Sequence, residues 1–395
     1  DFLSFEKEDK GRVITVPFGK EESEDVEREE ITKRIRNDGI KVALAYWRIA
    51  EESWPYQLNG GIDKFKASKY NRIMRLVNRI MRSGEKIDYV QFPELAMPWR
   101  WFMLIAKKLQ RYNVSLISGV EYLKSGRGLV KNEAWCSLMY DGLGFPDSVL
   151  IKILKTDPAD EERSELKKKF GYQLDVVPRR GAFCAGDIIE HGDGARKLFF
   201  SVLICSDLTN IDLRAKLRGK IDALFVPAWN HDVQTFNALI TASAFDLHAY
   251  VVLCNNGEFG DTRIRAPFEN RYDRDLVQLK GGDYDYYVVG SLDVAAIRRF
   301  QAGRPAPSDV GFKSAPKGFC MSKARRDVVE VIDVNCEDIE LKYVHVENDG
   351  INVWGVSPGG EPIDVGIKIE FLDINTLKKL LKWLLKKQKM NSLTE

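Results

Sequence analysis

Three polar residues each end an apolar, strand-like run, and their types suit hydrolytic chemistry. Glu94 ends IDYVQFPE, Lys155 ends VLIKILK and Cys205 ends FFSVLIC. A thiol becomes a nucleophile when it loses its proton, a carboxylate can take that proton, and an ammonium can stabilise negative charge that develops on a substrate. If the three strands run side by side, their carboxyl ends bring these groups to one rim, where open α/β sheets bind ligands.

Each of the three residues also has a purely structural interpretation. A free cysteine is often buried as a small hydrophobe, and a Glu or Lys at a strand end is usually solvated. Lys152 competes with Lys155, but Lys155 is preferred because the polar loop TDPADEE follows it directly. The catalytic hypothesis therefore depends on the three residues occurring together.

The elements that would position these residues alternate between strands and helices, which indicates a layered α/β domain. The strand-like runs before and including the Cys205 strand are Lys41–Tyr46, Ile87–Phe92, Val114–Val120, Ala134–Tyr140, Val149–Ile153 and Leu198–Ile204. Further strands are predicted at Ala223–Pro227, Tyr250–Cys254 and Tyr286–Val294. Helical periodicity places amphipathic helices around residues 73–81, 101–112, 210–218 and 236–247.

The two ends of the chain differ in character from this central part. Residues 1–38 form a charged segment or linker with an acidic run at 21–30, and residues 39–302 form the main domain. Residues 303–395 form an extension that begins with a Pro/Gly-rich connector. It continues with strand-like runs at 328–334, 339–346 and 351–356, and ends in a basic amphipathic helix with a leucine stripe from Leu377.

Composition excludes several classes of protein. The net charge is +2, so no overall basic field favours nucleic acid. The six cysteines form no C-x-x-C pair, which is typical of reduced thiols in a cytoplasmic protein. No apolar run approaches the ~20 residues of a membrane span. The four histidines have no metal-ligand spacing, so no metal site is expected.

The motifs VQFPELAMP, ILKTDPADEE, FSVLICSDL and VVLCNNGEFGD, in this order, resemble the successive signatures of the nitrilase, or carbon-nitrogen hydrolase, superfamily. The resemblance covers about residues 40 to 300, and FVPAWN after the Cys205 strand adds to it. It implies a four-layer α-β-β-α sandwich and a Glu94, Lys155, Cys205 triad that hydrolyses amide, carbamoyl or nitrile bonds of a small molecule through a thioester. It also implies that the reaction requires no metal or organic cofactor.

The resemblance also implies residues that support the triad. A second Glu often follows the Lys in this family, and Glu161 and Glu162 both stand in that region. Ser206, Asp207, Trp229 and Asn230 are further candidates for supporting or substrate-binding roles. Ser206 stands where the family often has an aromatic residue, and Ser243 and Asp246 stand where it usually has Arg and Glu.

These departures keep a second hypothesis open: a catalytically silent nitrilase-like module that acts as a scaffold, in oligomerisation or in ligand sensing. The family resemblance implies a homodimer or larger homo-oligomer. The chain starts at Asp1 and not at Met. Its arrangement is similar to the nitrilase-like modules of bacterial antiviral reverse transcriptases, so a fused reverse transcriptase outside this chain is a further expected partner.

Overall fold

The structure is a computed structural model that divides the chain into two compact units, Asp1–Val329 and Glu330–Glu395. It describes residues 4–8, 11–16, 39–50, 58, 66–140, 146–192, 196–303, 311–328, 340–347, 350–356 and 362–369. Within these residues, no helix combines the length and the apolar character that crossing a membrane would require.

The first sheet of the larger unit, sheet I, carries the strands that end at Glu94 and Lys155. Its strands are β3 (Ile40–Tyr46), β4 (Tyr89–Gln91), β5 (Ser115–Gly126), β6 (Leu129–Tyr140), β7 (Asp147–Leu154), β8 (Gln173–Leu174), β9 (Phe183–Cys184) and β16 (Tyr286–Leu292). The order is β16-β3-β4-β5-β6-β7-β9, and β8 pairs with β6. β3, β4 and β5 run parallel, whereas β5, β6 and β7 alternate in direction, so β4 and β7 end at the same edge.

Sheet II carries the strand that leads to Cys205. Its strands are β1 (Ser4–Glu8), β2 (Gly11–Val16), β10 (Ile188–His191), β11 (Leu198–Val202), β12 (Ala223–Ala228), β13 (Tyr250–Asn255), β14 (Thr262–Arg265) and β15 (Asp275–Leu279). They follow one another across the sheet in chain order, and β11, β12 and β13 run parallel. β11 is fully buried, as its almost unbroken apolar sequence predicts.

The two sheets pack face to face. The ring centroid of Tyr89 in sheet I lies 5.9 Å from that of Phe225 and 6.1 Å from that of Phe200, both in sheet II. Cys254 Sγ in β13 donates across the same interface to the carbonyl oxygens of Ala45, at 3.3 Å, and Gln91, at 3.4 Å. This interface is the central core of the unit.

Helices cover the outer faces. On sheet I, α1 (Lys66–Met81) buries Ile73 and Leu76, and α2 (Trp99–Gln110) buries Phe102 and Ile105. The short α3 (Asp160–Phe170) follows β7, and α4 (Ile211–Leu217) and α5 (Val233–Leu247) lie with sheet II, where α5 buries Phe236, Ile240 and Leu247. The four-layer α-β-β-α sandwich is therefore confirmed.

The N-terminal segment differs from its sequence-based description. β1 and β2 form an antiparallel hairpin, and β2 extends sheet II by pairing in parallel with β10. The predicted linker thus contains two strands, and the β-branched residues of GRVITV suit a strand. The acidic run at 21–30 lies outside the described residues.

The C-terminal end of the larger unit lies beyond the predicted boundary at residue 302. α6 (Val294–Gln301) is followed by residues 311–328, which include the short α7 (Lys323–Asp327). Arg325 of α7 is fully buried and donates to both Asp222, at 2.7 Å, and Gly219, at 3.0 Å. This contact keeps the segment with the larger unit, whose division from the next falls after Val329.

The smaller unit is an antiparallel sheet of β17 (Glu340–Glu347), β18 (Gly350–Val356) and β19 (Pro362–Ile369). β17 and β18 match the predicted runs at 339–346 and 351–356, and β19 was not predicted. The predicted strand at 328–334 lies, except for Val328, outside the described residues, as does the predicted C-terminal basic helix.

Candidate active site

Glu94 is held by the turn that follows β4. Gly119 of β5 approaches this turn so closely that a Cβ there would lie 2.5 Å from Glu94 Cα and 2.5 Å from the Leu95 nitrogen. Two backbone hydrogen bonds join these segments, from Gly119 N to Pro93 O at 3.0 Å and from Ala96 N to Gly119 O at 3.2 Å. Leu95 adopts a left-handed conformation, with φ of 52°. This geometry turns the Glu94 carboxylate into the interior, where only 2% of the residue is exposed.

Lys155 follows β7 and lies between two carboxylates. Its Nζ is 2.8 Å from Glu94 Oε1 and 2.6 Å from Glu162 Oε2, and its side chain is 3% exposed. Glu162 lies in the first turn of α3, which brings it back over the end of β7. An ammonium buried to this extent requires such paired charges. We call Glu94, Lys155 and Glu162 the ionic cluster.

Two neutral side chains complete the hydrogen bonds of the ionic cluster. Asn132 Nδ2 donates to Glu94 Oε1 at 2.7 Å and to Glu162 Oε1 at 2.9 Å. The Tyr122 hydroxyl donates to Glu162 Oε1 at 2.9 Å. Asn132 and Tyr122, from two different strands, and Lys155, which follows a third strand, together hold the two carboxylates. The cluster is therefore ordered before any substrate arrives.

The environment shifts the pKa values of Glu94 and Glu162 in opposite directions. Burial raises the pKa of Glu94 above its ordinary value and outweighs the opposing effect of Lys155. Burial also acts to raise the pKa of Glu162, but Lys155 and the hydrogen bonds from Asn132 and Tyr122 lower it overall. Burial alone would lower the pKa of Lys155, yet Glu162 and Glu94 raise it well above the usual range. Glu94 is thus suited to exchange a proton, and Glu162 to remain ionised.

Cys205 lies just beyond β11, at the start of a short 3₁₀ turn, Cys205–Thr209. Its φ is 47°, a left-handed conformation that costs roughly 1–3 kcal/mol for a residue with a side chain and often marks a functional position. Sγ donates to Trp229 O at 3.7 Å, while Trp229 N donates to Glu94 Oε2 at 3.0 Å. One peptide segment after β12 therefore connects the thiol to the carboxylate.

The thiol is protonated in this environment. Burial, followed by the negative charge of Glu94, raises the pKa of Cys205 well above its ordinary value. A thiolate does not form spontaneously here, so the thiol needs a base beside it.

Asp207 and Ser206 tie the Cys205 turn to the loop after Lys155. Asp207 accepts from Asp157 N at 2.7 Å and Thr156 N at 3.0 Å with one oxygen, and from Ile204 N at 3.0 Å with the other. Burial raises its pKa to about 6, although these donors act against the shift. The Ser206 hydroxyl donates to Asp157 O at 2.7 Å. Both residues therefore position the backbone.

A cavity of about 550 Å³ joins the predicted residues. Its lining includes Glu94, Lys155, Cys205, Glu161, Glu162 and Trp229. Ser206, Asp207 and Asn230 do not line it. The backbone of Asn230 instead forms two hydrogen bonds with the Asn255 side chain. Asn230 N donates to Asn255 Oδ1 at 2.9 Å, and Asn255 Nδ2 donates to Asn230 O at 2.8 Å, which fixes the segment after Trp229.

The strands that carry the triad do not run side by side. β5 and β6 separate β4 from β7 in sheet I, and β11 belongs to sheet II. The three groups meet because the two sheets are stacked with these strand ends at one edge. Glu94, Lys155 and Cys205 line one cavity, although the condition from which the sequence predicted their approach, strands that run side by side, does not hold.

The structure distinguishes the residues that the sequence left as alternatives. Glu162 binds Lys155, whereas Glu161 is exposed at the mouth of the cavity. Lys152 points outward, with Nζ 4.4 Å from the ring centroid of Trp135. Tyr122, Asn132 and Asn255 were missed. A polar Asn132 inside a strand was the one available signal, since such a residue must find partners when buried.

Among the described residues, no group of three or more His, Cys, Asp and Glu side chains could hold a metal ion. The cluster's own ammonium occupies the space between the two carboxylates.

No family model matches the sequence. No curated protein matches it either. Several solved structures are similar to the chain. Nit3 from Saccharomyces cerevisiae, a member of branch 10 of the nitrilase superfamily, is 16% identical with a TM-score of 0.46, and the match covers 69% of this chain and 96% of that chain.

XC1258 from Xanthomonas campestris, a CN-hydrolase superfamily protein with an arsenic adduct in its active site, is 14% identical with a TM-score of 0.48, over 68% of this chain and 96% of its own. An amidase from Nesterenkonia sp. is 13% identical with a TM-score of 0.44, over 65% and 92% of the two chains. Similarity at this level carries no argument about the reaction, so the functional conclusion rests on the geometry of this chain.

Proposed function

We propose that this protein is a nitrilase-superfamily hydrolase that cleaves a non-peptide carbon-nitrogen bond of a small amide, carbamoyl or nitrile compound. The observation that carries the proposal is the shared cavity, which the thiol of Cys205, a residue in a left-handed conformation, lines together with the buried carboxylate of Glu94 and the buried ammonium of Lys155. A structural ion pair alone would not require a cysteine in a left-handed conformation at its edge.

In the first half of the reaction on an amide, Glu94 takes the proton from Cys205 Sγ, and the sulfur forms a bond to the carbonyl carbon. The electron pair of the C=O bond moves to oxygen, where Lys155 Nζ stabilises the negative charge. A well-placed donor of this kind contributes roughly 3 kcal/mol. Glu94 then returns its proton to the nitrogen, the C–N bond breaks and the amine leaves, so the product of this half is a thioester.

In the second half, Glu94 takes a proton from water, and the resulting hydroxide attacks the thioester carbon. The tetrahedral intermediate collapses, the C–S bond breaks, and Cys205 recovers its proton from Glu94. Glu162 stays ionised throughout and fixes Lys155, whose raised pKa keeps it an ammonium. The reaction releases a carboxylic acid and needs no group beyond water and these side chains.

The test is ammonia release from a panel of small amides, carbamoyl compounds and nitriles, with rapid quenching and intact mass analysis for an acyl group on Cys205. We expect turnover and a Cys205 adduct in the unmodified protein and neither in Cys205→Ala. Cys320→Ser is the matched control, because Cys320 is an exposed thiol that does not line the cavity.

A folded protein that releases no ammonia from any compound and forms no adduct would contradict the proposal. The silent scaffold or ligand-sensing module would then replace it. Three expectations from the family resemblance stay proposals: a small-molecule substrate, assembly as a homodimer or larger oligomer, and association with a reverse transcriptase module. Light scattering of the purified chain tests the second of these.

A further inference from the structure

The lining of the catalytic cavity is strongly unbalanced in charge. Among the described lining residues, five side chains carry a carboxyl group and Lys155 carries the single ammonium or guanidinium. The acidic residues are Glu94, Asp160, Glu161, Glu162 and Glu165. Two of them, Glu94 and Glu162, are already committed to Lys155. The other three lie along one side of the opening, on the first turns of α3.

The carboxylates at the opening are not neutralised from within the described part of the chain. Asp160 and Glu161 are exposed and form no ion pair with a described residue. Glu165 pairs with Lys169 at 2.8 Å, but both side chains are about half exposed, so water screens that contact. The N-terminus of α3 supplies only about half a positive charge. Among the described residues that line it, the opening therefore carries an excess of negative charge.

The wall beside these carboxylates is aromatic. Trp229, His231 and Phe259 line the cavity, and the His231 and Phe259 rings meet edge to face with centroids 6.0 Å apart. Aromatic faces attract cations, and that of Trp does so most strongly. Acidic and aromatic groups at one opening thus favour the same charge on a ligand.

We propose that the substrate carries a cationic group, an ammonium or guanidinium, remote from the bond that is cleaved. The cation lies among Asp160, Glu161 and the aromatic wall, while the carbonyl or nitrile carbon lies at Cys205. This inference rests on the proposed function for its reacting end, but the charge selection depends only on the cavity.

The first experiment measures charge selection without turnover. Cys205 is labelled at low salt with a cationic reagent, aminoethyl methanethiosulfonate, and an anionic one, sulfonatoethyl methanethiosulfonate, and each rate is divided by the rate at exposed Cys320. We expect a cation preference of about tenfold or more at Cys205, the lower end of electrostatic focusing in a charged cleft. The preference should shrink in Asp160→Asn/Glu161→Gln/Glu165→Gln and persist in Asp283→Asn, an exposed carboxylate that does not line this cavity.

The second experiment measures binding to the Cys205→Ala protein by calorimetry, with three amides of similar length. δ-Aminovaleramide carries an ammonium, hexanamide is its neutral counterpart, and adipamic acid carries a carboxylate. We expect δ-aminovaleramide to bind about tenfold more tightly than hexanamide, and adipamic acid to bind most weakly. Equal or reversed affinities, absence of binding by all three, or an unchanged labelling preference in the triple variant would overturn the inference.

The outcomes separate this inference from the proposed function. Hydrolysis of amides without charge preference would retain the hydrolase and reject the cationic substrate. Cation selection without hydrolysis of any compound would retain the cationic ligand and reject the hydrolase.

Discussion

Two buried ionic clusters in the larger unit have opposite compositions. At the cavity, one ammonium lies between two carboxylates, whereas in the second cluster Asp222 lies between two guanidiniums, with Arg298 Nε at 2.9 Å and Arg325 Nη2 at 2.7 Å. Asp222 and Arg325 are fully buried, and Arg298 is 2% exposed. The cavity cluster opens instead to a space that a substrate can enter.

The titration of the two clusters differs accordingly. Burial acts to raise the pKa of Asp222, but Arg298 and Arg325 outweigh it and lower the pKa below 3.8. Asp222 therefore contributes stability that is present above its unfolded pKa and is lost only as the pH falls through the lower folded value. At the cavity, burial raises the pKa of Glu94, and the single ammonium of Lys155, which Glu94 shares with Glu162, does not offset it. Two guanidiniums keep the single carboxylate of Asp222 ionised. Two carboxylates around one ammonium leave Glu94 able to exchange a proton.

The largest expected effect tests the chemical role of the cavity cluster. Glu94→Gln should lower kcat/KM for amide hydrolysis by about 10²–10⁴-fold, because the amide keeps an oxygen for Asn132 but cannot take the thiol proton. Ammonia release gives the rate, and thermal melting shows whether the variant folds. Glu85→Gln, an exposed carboxylate paired with Lys41, is the control and should keep the original rate. A rate within threefold of the original in Glu94→Gln would end its assignment as the base.

The next expected effect is on stability alone. Arg325→Met should reduce the free energy of unfolding by about 3 kcal/mol, because the buried Asp222 carboxylate and the Gly219 carbonyl oxygen lose their donors from Arg325, while Arg298 still pairs with Asp222. Urea denaturation measures the loss. The neighbouring Arg326 is exposed, so Arg326→Met should change stability by less than about 0.5 kcal/mol. If Arg325→Met lowered kcat of the folded fraction as much as Glu94→Gln does, the distinction between the clusters would fail.

A third change tests the backbone that positions the cavity cluster. Gly119→Ala places a Cβ 2.5 Å from Glu94 Cα, so the turn that carries Glu94 must move. A displacement of about 1 Å in a catalytic group can lower kcat by about 10²-fold. Gly126→Ala on the same strand is the matched control, because its Cβ would meet Leu129 at an ordinary 3.6 Å. Equal rates for the two variants would show that Gly119 does not position Glu94.

The smallest expected effect is a shift of a pH profile. The base must be ionised, so kcat/KM should rise with pH through the raised pKa of Glu94 and then stay level, because the Cys205 pKa lies well above neutral. Glu162→Gln removes a negative charge that raises the pKa of Glu94, so the rising limb should move to lower pH. Rates measured in buffers of constant ionic strength give the profile. A limb that stayed in place, or moved to higher pH, would contradict the coupling of the two carboxyl groups.

The sequence by itself determined most of the elements and the residues that we propose react. Apolar runs such as FFSVLIC predict buried strands, since every residue of β11 is apolar or small, and the polar residue that ends each run marks a strand end. Periodicity is a local property, so it can be read from neighbouring residues. The family motifs are also short stretches of neighbouring residues, and their resemblance to the superfamily pointed to Glu94, Lys155 and Cys205.

Only the tertiary structure decided which groups meet. Glu161 and Glu162 are neighbours in sequence, yet the direction of α3 brings only Glu162 to Lys155. Tyr122 joins the cluster from a strand whose sequence carries no mark of a site, and the sequence around Asn132 indicates a need for hydrogen-bond partners without identifying them. The meeting of Cys205 with the ends of β4 and β7 depends on the stacking of two sheets. Such contacts link residues far apart in the chain, and their geometry is set by the packing of the whole core.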